Sequence, residues 1–313
     1  MQATKTSPQS LVTQPTLWSG WSIAILSTFC FSVAAPVARG AILAGMDSTT
    51  LLLMRMVFAL FFFSVTIGVM DRRILLVEWH ALRVMILAGI LNGVAIVLVF
   101  WALVRVDASV LSMMISTVPL IVLTLLALGG ERFTYRHVIR LALGLSGLYL
   151  LIGPGGNVDP VGIMMLSVAM FFFALQVVLL QWYLRGQDPR AVSFYITGVV
   201  MVIALIAWWV QEIPWRNPGV NGWISILVLA LVGTFLARLT FVAAIDKIGG
   251  GQMTLLMPLE TFQTVIWSML FLGERLSPLQ WAGGALVLSS ALLAIQRLNL
   301  AQWRPRWRNW ARI

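Results

Sequence analysis

From Trp21 to Gln296 the chain alternates long apolar runs with short polar breaks. The breaks read "RVDA", "GGERFTY", "GPGGNVDP", "RGQDPR", "DKIGGG" and "GERLSP", each rich in charge, glycine or proline. Cutting at these signals predicts ten helices, at approximately 20–44, 50–70, 82–103, 108–128, 135–152, 160–183, 191–210, 223–245, 250–272 and 277–297. A helix needs about 20 mostly apolar residues to cross a bilayer, and each run approaches or exceeds that length. The strict alternation of a membrane β-barrel is absent. The pattern therefore predicts an all-α integral membrane protein with ten transmembrane helices and no separate soluble domain.

Composition agrees. Only 10% of the 313 residues are charged and 60% are hydrophobic, whereas soluble domains carry roughly 25% charged residues. The net charge of +10 has a membrane explanation, because cytoplasmic loops are enriched in Lys and Arg. With a cytoplasmic N-terminus, the inner loops and tails hold 15 of these cations and the outer side 5, while Arg238 lies deep in a span. That bias predicts both termini inside. The tail "QWRPRWRNWARI" alternates Trp with Arg and reads as an interfacial anchor. The first 16 residues lack the charged start and short apolar core of a cleavable signal peptide, so none is expected. The single cysteine, Cys30, excludes an intramolecular disulfide and reads as a small buried hydrophobe.

The chain also repeats itself. "ALVRVDASVLSMMISTVPLIVLTLLALGGERFT" begins at Ala102, and "AIDKIGGGQMTLLMPLETFQTVIWSMLFLGERLS" begins at Ala244. Each ends on a Glu-Arg pair, Glu131-Arg132 and Glu274-Arg275, closing the fourth span of its half. Five spans is an odd number, so the second half is expected to lie inverted relative to the first. The expected organisation is a cytoplasmic tail (1–19), a first five-helix repeat (20–153), a linker (154–159), a second five-helix repeat (160–298) and a basic aromatic cytoplasmic tail (299–313). Inverted repeats are typical of secondary transporters that bind solute near mid-membrane between the halves.

Arg55 early in span two, Pro119 with "LGGERFT", Pro258 with "FLGERLS", and Gly147 and Gly283 in the fifth helix of each half form an ordered set. In this the chain resembles the drug/metabolite transporter superfamily, and its EamA-type exporters in particular, over residues 20–298. The second half carries Tyr195 where the first has Arg55. The resemblance implies export of small metabolites, often amino acids or drugs, through a central cavity, and a bacterial inner membrane.

Candidate chemistry concentrates in the second half. Arg238 lies 10 residues before Ile248 and Glu260 lies 12 after it, so a tight hairpin would bring both to one depth near mid-bilayer. Intramembrane charges are costly and default to function. Two readings stand here: a permanent ion pair locking two helices, or a substrate or proton site. Glu260, Gln263, Thr264 and Trp267 follow at i, i+3, i+4 and i+7, which places them on one helix face. Ser32, Asn92, Trp101, Ser116 and Gln176 are weaker candidates for a cavity wall, against packing as their alternative. Phe172 and Phe173 are candidate aromatic walls. Arg39 and Arg55, near the outer surface, are candidates for an outer gate or for snorkelling anchors.

These features favour a secondary exporter of a small amphipathic metabolite such as an amino acid, working by alternating access. Arg238 would receive a carboxylate, Glu260 an ammonium or proton, and protons are the candidate coupling ion. An uptake carrier or exchanger of a small organic solute, or a multidrug exporter, is the alternative. An enzyme is not expected: the two histidines, His80 and His137, fall at loops, and neither HExxH nor GxSxG occurs. No metal, cofactor or nucleic-acid partner is expected, and nothing resembles a channel filter.

Overall fold

A computed structural model describes residues 15–70, 72–102, 114–115, 117–130, 135–152, 159–272 and 278–295. All regular structure among them is helical. In chain order the helices are α1 (Pro15–Ser32), α2 (Ala34–Leu43), α3 (Ser48–Met70), α4 (Trp79–Ala102), α5 (Val118–Leu128), α6 (Tyr135–Ile152), α7 (Pro160–Tyr183), α8 (Pro189–Val210), α9 (Gly219–Ala230), α10 (Ala237–Ile248), α11 (Gly250–Thr254), α12 (Met257–Leu272) and α13 (Pro278–Ile295). A π-helical segment, Leu231–Leu236, joins α9 to α10 without a break.

Local chemistry sets several of these starts. Asp159 and Asp188 each precede a proline, and each carboxylate accepts from the backbone N–H two residues on, Val161 at 3.0 Å and Arg190 at 2.8 Å. Asp is a strong N-cap, and proline suits the first helical position because its missing N–H needs no partner there. Asp47 does the same for α3 through Thr50, at 2.7 Å. Gly249, with φ +86°, ends α10 at the hairpin tip, a conformation costly to any residue with a side chain.

Three expected spans are interrupted. Span one breaks at Val33, between α1 and α2. Pro36 has no N–H for the carbonyl four residues back, at Ser32, so a kink there follows from its chemistry. Span nine, expected as one helix, is divided by Leu255 and Leu256 into α11 and α12, with Pro258 in the first turn of the second piece. Within span four, α5 starts in the same way, with Pro119 in its first turn. The start of span four falls outside the described residues.

Among the described residues, six stretches are long and apolar enough to cross a membrane: 19–42, 48–69, 79–102, 160–183, 189–210 and 219–248. Large apolar side chains face outward, such as Phe61, Val69 and Trp209, a surface suited to lipid and not to water. The chain is an integral membrane protein. Inside, one core joins Trp21, Met56, Met85, Val122, Val177, Ile196, Ile245 and Phe262, drawing on most of the helices.

The helices pair across the chain in a regular way. The most extensive contacts are α6 with α13, α4 with both α7 and α8, α1 with α10, and α3 with α8. Exchanging the first half for the second turns α1–α10 into α4–α7 and leaves α6–α13 and α3–α8 unchanged. It turns α4–α8 into the contact of α3 with α9 and the π segment, which is also present.

Candidate functional site

A buried chain of polar side chains crosses this arrangement. Arg238, at the start of α10, directs Nη2 to the Asn92 Oδ1 on α4 at 2.9 Å. The Asn92 amide donates in turn to Gln176 Oε1 on α7 at 2.9 Å. All three are buried, Asn92 and Gln176 with 3% of their surface exposed and Arg238 with 9%. One turn before Arg238, Thr234 Oγ accepts from Arg55 Nε on α3 at 3.1 Å. The line therefore runs Arg55, Thr234, Arg238, Asn92, Gln176 and joins helices from both halves.

The π segment lies at the middle of this line. Its Thr234 hydroxyl donates to the Leu229 carbonyl, five residues back, at 2.9 Å. Short π turns inside α-helices recur at functional sites because they re-aim the next side chains and loosen the backbone bonding. Here the next turn presents Arg238. Neighbouring hydroxyls take up carbonyls at the junction: Ser27 donates to Ala237 O at 3.2 Å and Ser193 to Arg238 O at 3.5 Å. Thr197, one turn beyond Ser193, is buried with no partner for its hydroxyl. Arg238 Nε is likewise buried and unpartnered.

A second polar group joins α12 to α1. The Ser32 carbonyl, which Pro36 leaves without a helical donor, accepts from Thr264 Oγ at 3.2 Å. Trp267 Nε1 donates to Ser32 Oγ at 3.0 Å, and its ring meets Phe29 edge-on at 5.3 Å. Glu260 and Gln263 lie on the same face of α12. Gln263 Oε1 is buried without a partner. Glu260, in the first turn of α12, is half-buried, and its carboxylate makes no hydrogen bond or ion pair among the described residues.

The ion pair entertained between Arg238 and Glu260 is not formed: Arg238 bonds Asn92 instead. Counting residues along a hairpin gives depth, but the interruption at Leu255 and Leu256 resets the direction of α12. As a result α10 and α12 both pack on α1, with no comparable contact to each other. Arg238, Asn92 and Gln176 form one cluster, and Ser32, Thr264 and Trp267 form another. Trp101, at the end of α4, is 44% exposed and joins neither. Ser116 and the Arg39 side chain lie outside the described residues. Phe173 packs beside Phe241 at 6.2 Å, which also meets Phe31 at 5.9 Å, so these rings line the contact of α1, α7 and α10.

Sequence reasoning missed the link of Arg55 to Thr234, the π segment, and Ser193 with Thr197. The last pair had a local signal, two hydroxyls four residues apart in an apolar helix. The first had none, since 179 residues separate the partners. Among the described residues, no cluster of His, Cys, Asp and Glu has the makings of a metal site. A surface recess of about 510 Å³ beside Trp208, Trp209 and Glu212 contains none of the buried polar residues.

A duplicated bundle of membrane-crossing helices with buried charge at the contact of its halves is the architecture of a membrane transporter. The chain belongs to the EamA-like transporter family, within the drug/metabolite transporter superfamily: residues 18–153 and 160–296 each match the family. A protein of Archaeoglobus fulgidus described as an uncharacterized transporter is 23% identical over 212 residues, covering 68% of this chain and 76% of that one. Relatives with the same description are 26% identical in Bacillus subtilis and 31% identical in Synechocystis sp.. Those two matches span only about half of each relative, 53% and 50%. A solved crystal structure superposes with a TM-score of 0.75 at 16% identity, over 88% of this chain and 96% of the other, which supports the fold. The family and these relatives are transporters, a generally non-enzymatic class.

Proposed function

We propose that this transporter is a secondary exporter of a small amphipathic metabolite, such as an amino acid, working by alternating access. In this reading ten spans form two inverted five-helix repeats, 20–153 and 160–298, in a bacterial inner membrane with both termini in the cytoplasm. The duplicated family match and the exchange-symmetric helix contacts support the repeat. The observation that carries the reading is the buried polar line from Arg55 to Gln176, which crosses the contact between the halves. Its cations meet only neutral partners among the described residues, so a solute is their natural complement. Glu260, Gln263, Thr264 and Trp267 supply a second wall, with Ser32 bracing the last two. Glu260 carries a proton or meets an ammonium group, and protons are the coupling ion. Ser116 and Trp101 are further candidates to contact the solute, and Arg39 and Arg55 are candidates for an outer gate.

The test uses purified protein in liposomes and in inverted vesicles, screened with amino acids and common metabolites. Saturable efflux that is lost in Glu260→Gln, while the variant stays folded, is the expected result. Unchanged kinetics and pH dependence in that variant would remove Glu260 from the mechanism. Movement only in the inward direction would favour the uptake carrier, and broad movement of unrelated hydrophobic solutes the multidrug exporter.

A further inference from the structure

Resting on the transporter reading, the geometry points to an oxyanion site at Arg55 and Arg238, so that the preferred solute is a small organic anion bearing a carboxylate or phosphate ester. The groups touching the two guanidinium ions are all neutral. Arg55 uses Nε on the Thr234 hydroxyl, and its two terminal nitrogens have no protein partner among the described residues. Arg238 uses Nη2 on the Asn92 amide oxygen, and its Nε is buried and unpartnered. Thr234 and Arg238 stand four residues apart on one helical stretch, so the Arg55 bond to Thr234 brings the two cations onto neighbouring turns, where they repel one another.

Arginines held for purely structural reasons behave differently in this chain. Arg190, at the α7–α8 turn, pairs with Asp188 at 3.1 Å. Among the described residues no carboxylate is offered to either Arg55 or Arg238, although unpaired buried charge is expensive within the membrane. Glu260 pairs with neither. Counting charge, the two guanidinium ions carry +2 with no carboxylate in their own cluster, since Glu260 lies with the separate group on α12. A zwitterion leaves that excess in place, whereas a net anion reduces it. The guanidinium fork favours planar or tetrahedral oxyanions that accept two parallel N–H bonds. Thr234 and Asn92 hold each fork from one side and leave the remaining donors free.

The experiment is thermal unfolding of the purified full chain at fixed ionic strength with succinate, phenylacetate, glutamate, glycerol 3-phosphate, phenethylamine, alanine and glucose. At least one anion is expected to raise the midpoint by several degrees, with amines and neutral solutes inert. Carboxylates against glycerol 3-phosphate separates the two oxyanion classes. Arg55→Gln and Arg238→Gln should each weaken that anion at least tenfold. Arg55→Lys, which keeps the charge and loses the fork, should fall between wild type and Arg55→Gln and covers the case in which Arg238→Gln does not fold. Stabilisation by no anion, by amines or neutral solutes alone, or equally in wild type, Arg55→Gln and Arg55→Lys, overturns the site. Saturable liposome transport of an amine alone would also overturn it while leaving the transporter reading intact. An anion that binds through Arg55 and Arg238 without being moved would do the reverse.

Discussion

Asn92 is the residue on which the buried line turns. Its amide is used on both sides, the oxygen by Arg238 and the NH2 by Gln176, each at 2.9 Å. A neutral amide satisfies one donor and one acceptor without cancelling the cation. Asn92→Leu removes both bonds at once and leaves Arg238 Nη2 and Gln176 Oε1 buried and unsatisfied. The expected cost is about 1–3 kcal/mol, towards the lower end in a bilayer because the unfolded chain finds other partners there. Denaturation of the variant in mixed micelles measures it. Asn92→Asp separates fold from function: it gives Arg238 a carboxylate of its own, and the Gln176 amide, turned over, still donates to it. The variant should be at least as stable as wild type and bind solute at least tenfold more weakly. Wild-type affinity in Asn92→Asp would mean that the Arg238 charge does not attract the solute.

At the scale of elements, close approach and interruption are what place these side chains. α4, which carries Asn92, packs closely on α7 and also lies tight against α8. A Cβ on Gly89 would sit 2.7 Å from the branched Cβ of Val199, which has no room to yield. Gly89→Ala is therefore expected to destabilise by about 1–3 kcal/mol through overpacking. Gly68, in α3, has open space around it, and there Ala should stabilise by about 0.5–1 kcal/mol through lower chain entropy. Opposite shifts in the two unfolding midpoints are the check. The interruption at Leu255 and Leu256 makes a further prediction. Pro258→Ala restores an N–H for the Thr254 carbonyl, so hydrogen exchange across residues 254–258 should slow. If the break also serves as a hinge, turnover should fall with it. Much at this scale was legible in the sequence. The Asp-Pro pairs mark the starts of α7 and α8, and Pro36 marks the break in span one. The break in span nine was not, because "LLMPL", residues 255–259, is apolar throughout and its proline also fits an uninterrupted run. The partner of Arg238 was hidden for the same reason. Spacing fixes how far along a helix a residue lies, but its facing is lost once the helix restarts.

For the whole molecule, the helix contacts constrain the symmetry that relates the halves. α1 packs on α10 as α4 packs on α7, while α3 meets α8 and α6 meets α13. A two-fold relation between the halves gives this pattern. With the proposed five membrane crossings in each half, such an axis would lie in the membrane plane and equivalent loops would emerge on opposite faces. Residues 72–78, between α3 and α4, correspond to 211–218, between α8 and α9. On the proposed orientation, which follows the Lys and Arg bias, the first is expected inside and the second outside. Leu76 is 84% exposed and Arg216 is also exposed, so each accepts a cysteine without disturbing packing. In a Cys30→Ala background, Arg216→Cys in intact cells is expected to react with a membrane-impermeant maleimide, and Leu76→Cys only after permeabilisation. Labelling of both from one side would make the halves parallel, which an even number of crossings per half requires. Alternating access by exchange of two equivalent inverted halves would then have no basis in this fold, and the polar line from Arg55 to Gln176 would need a gate of another kind.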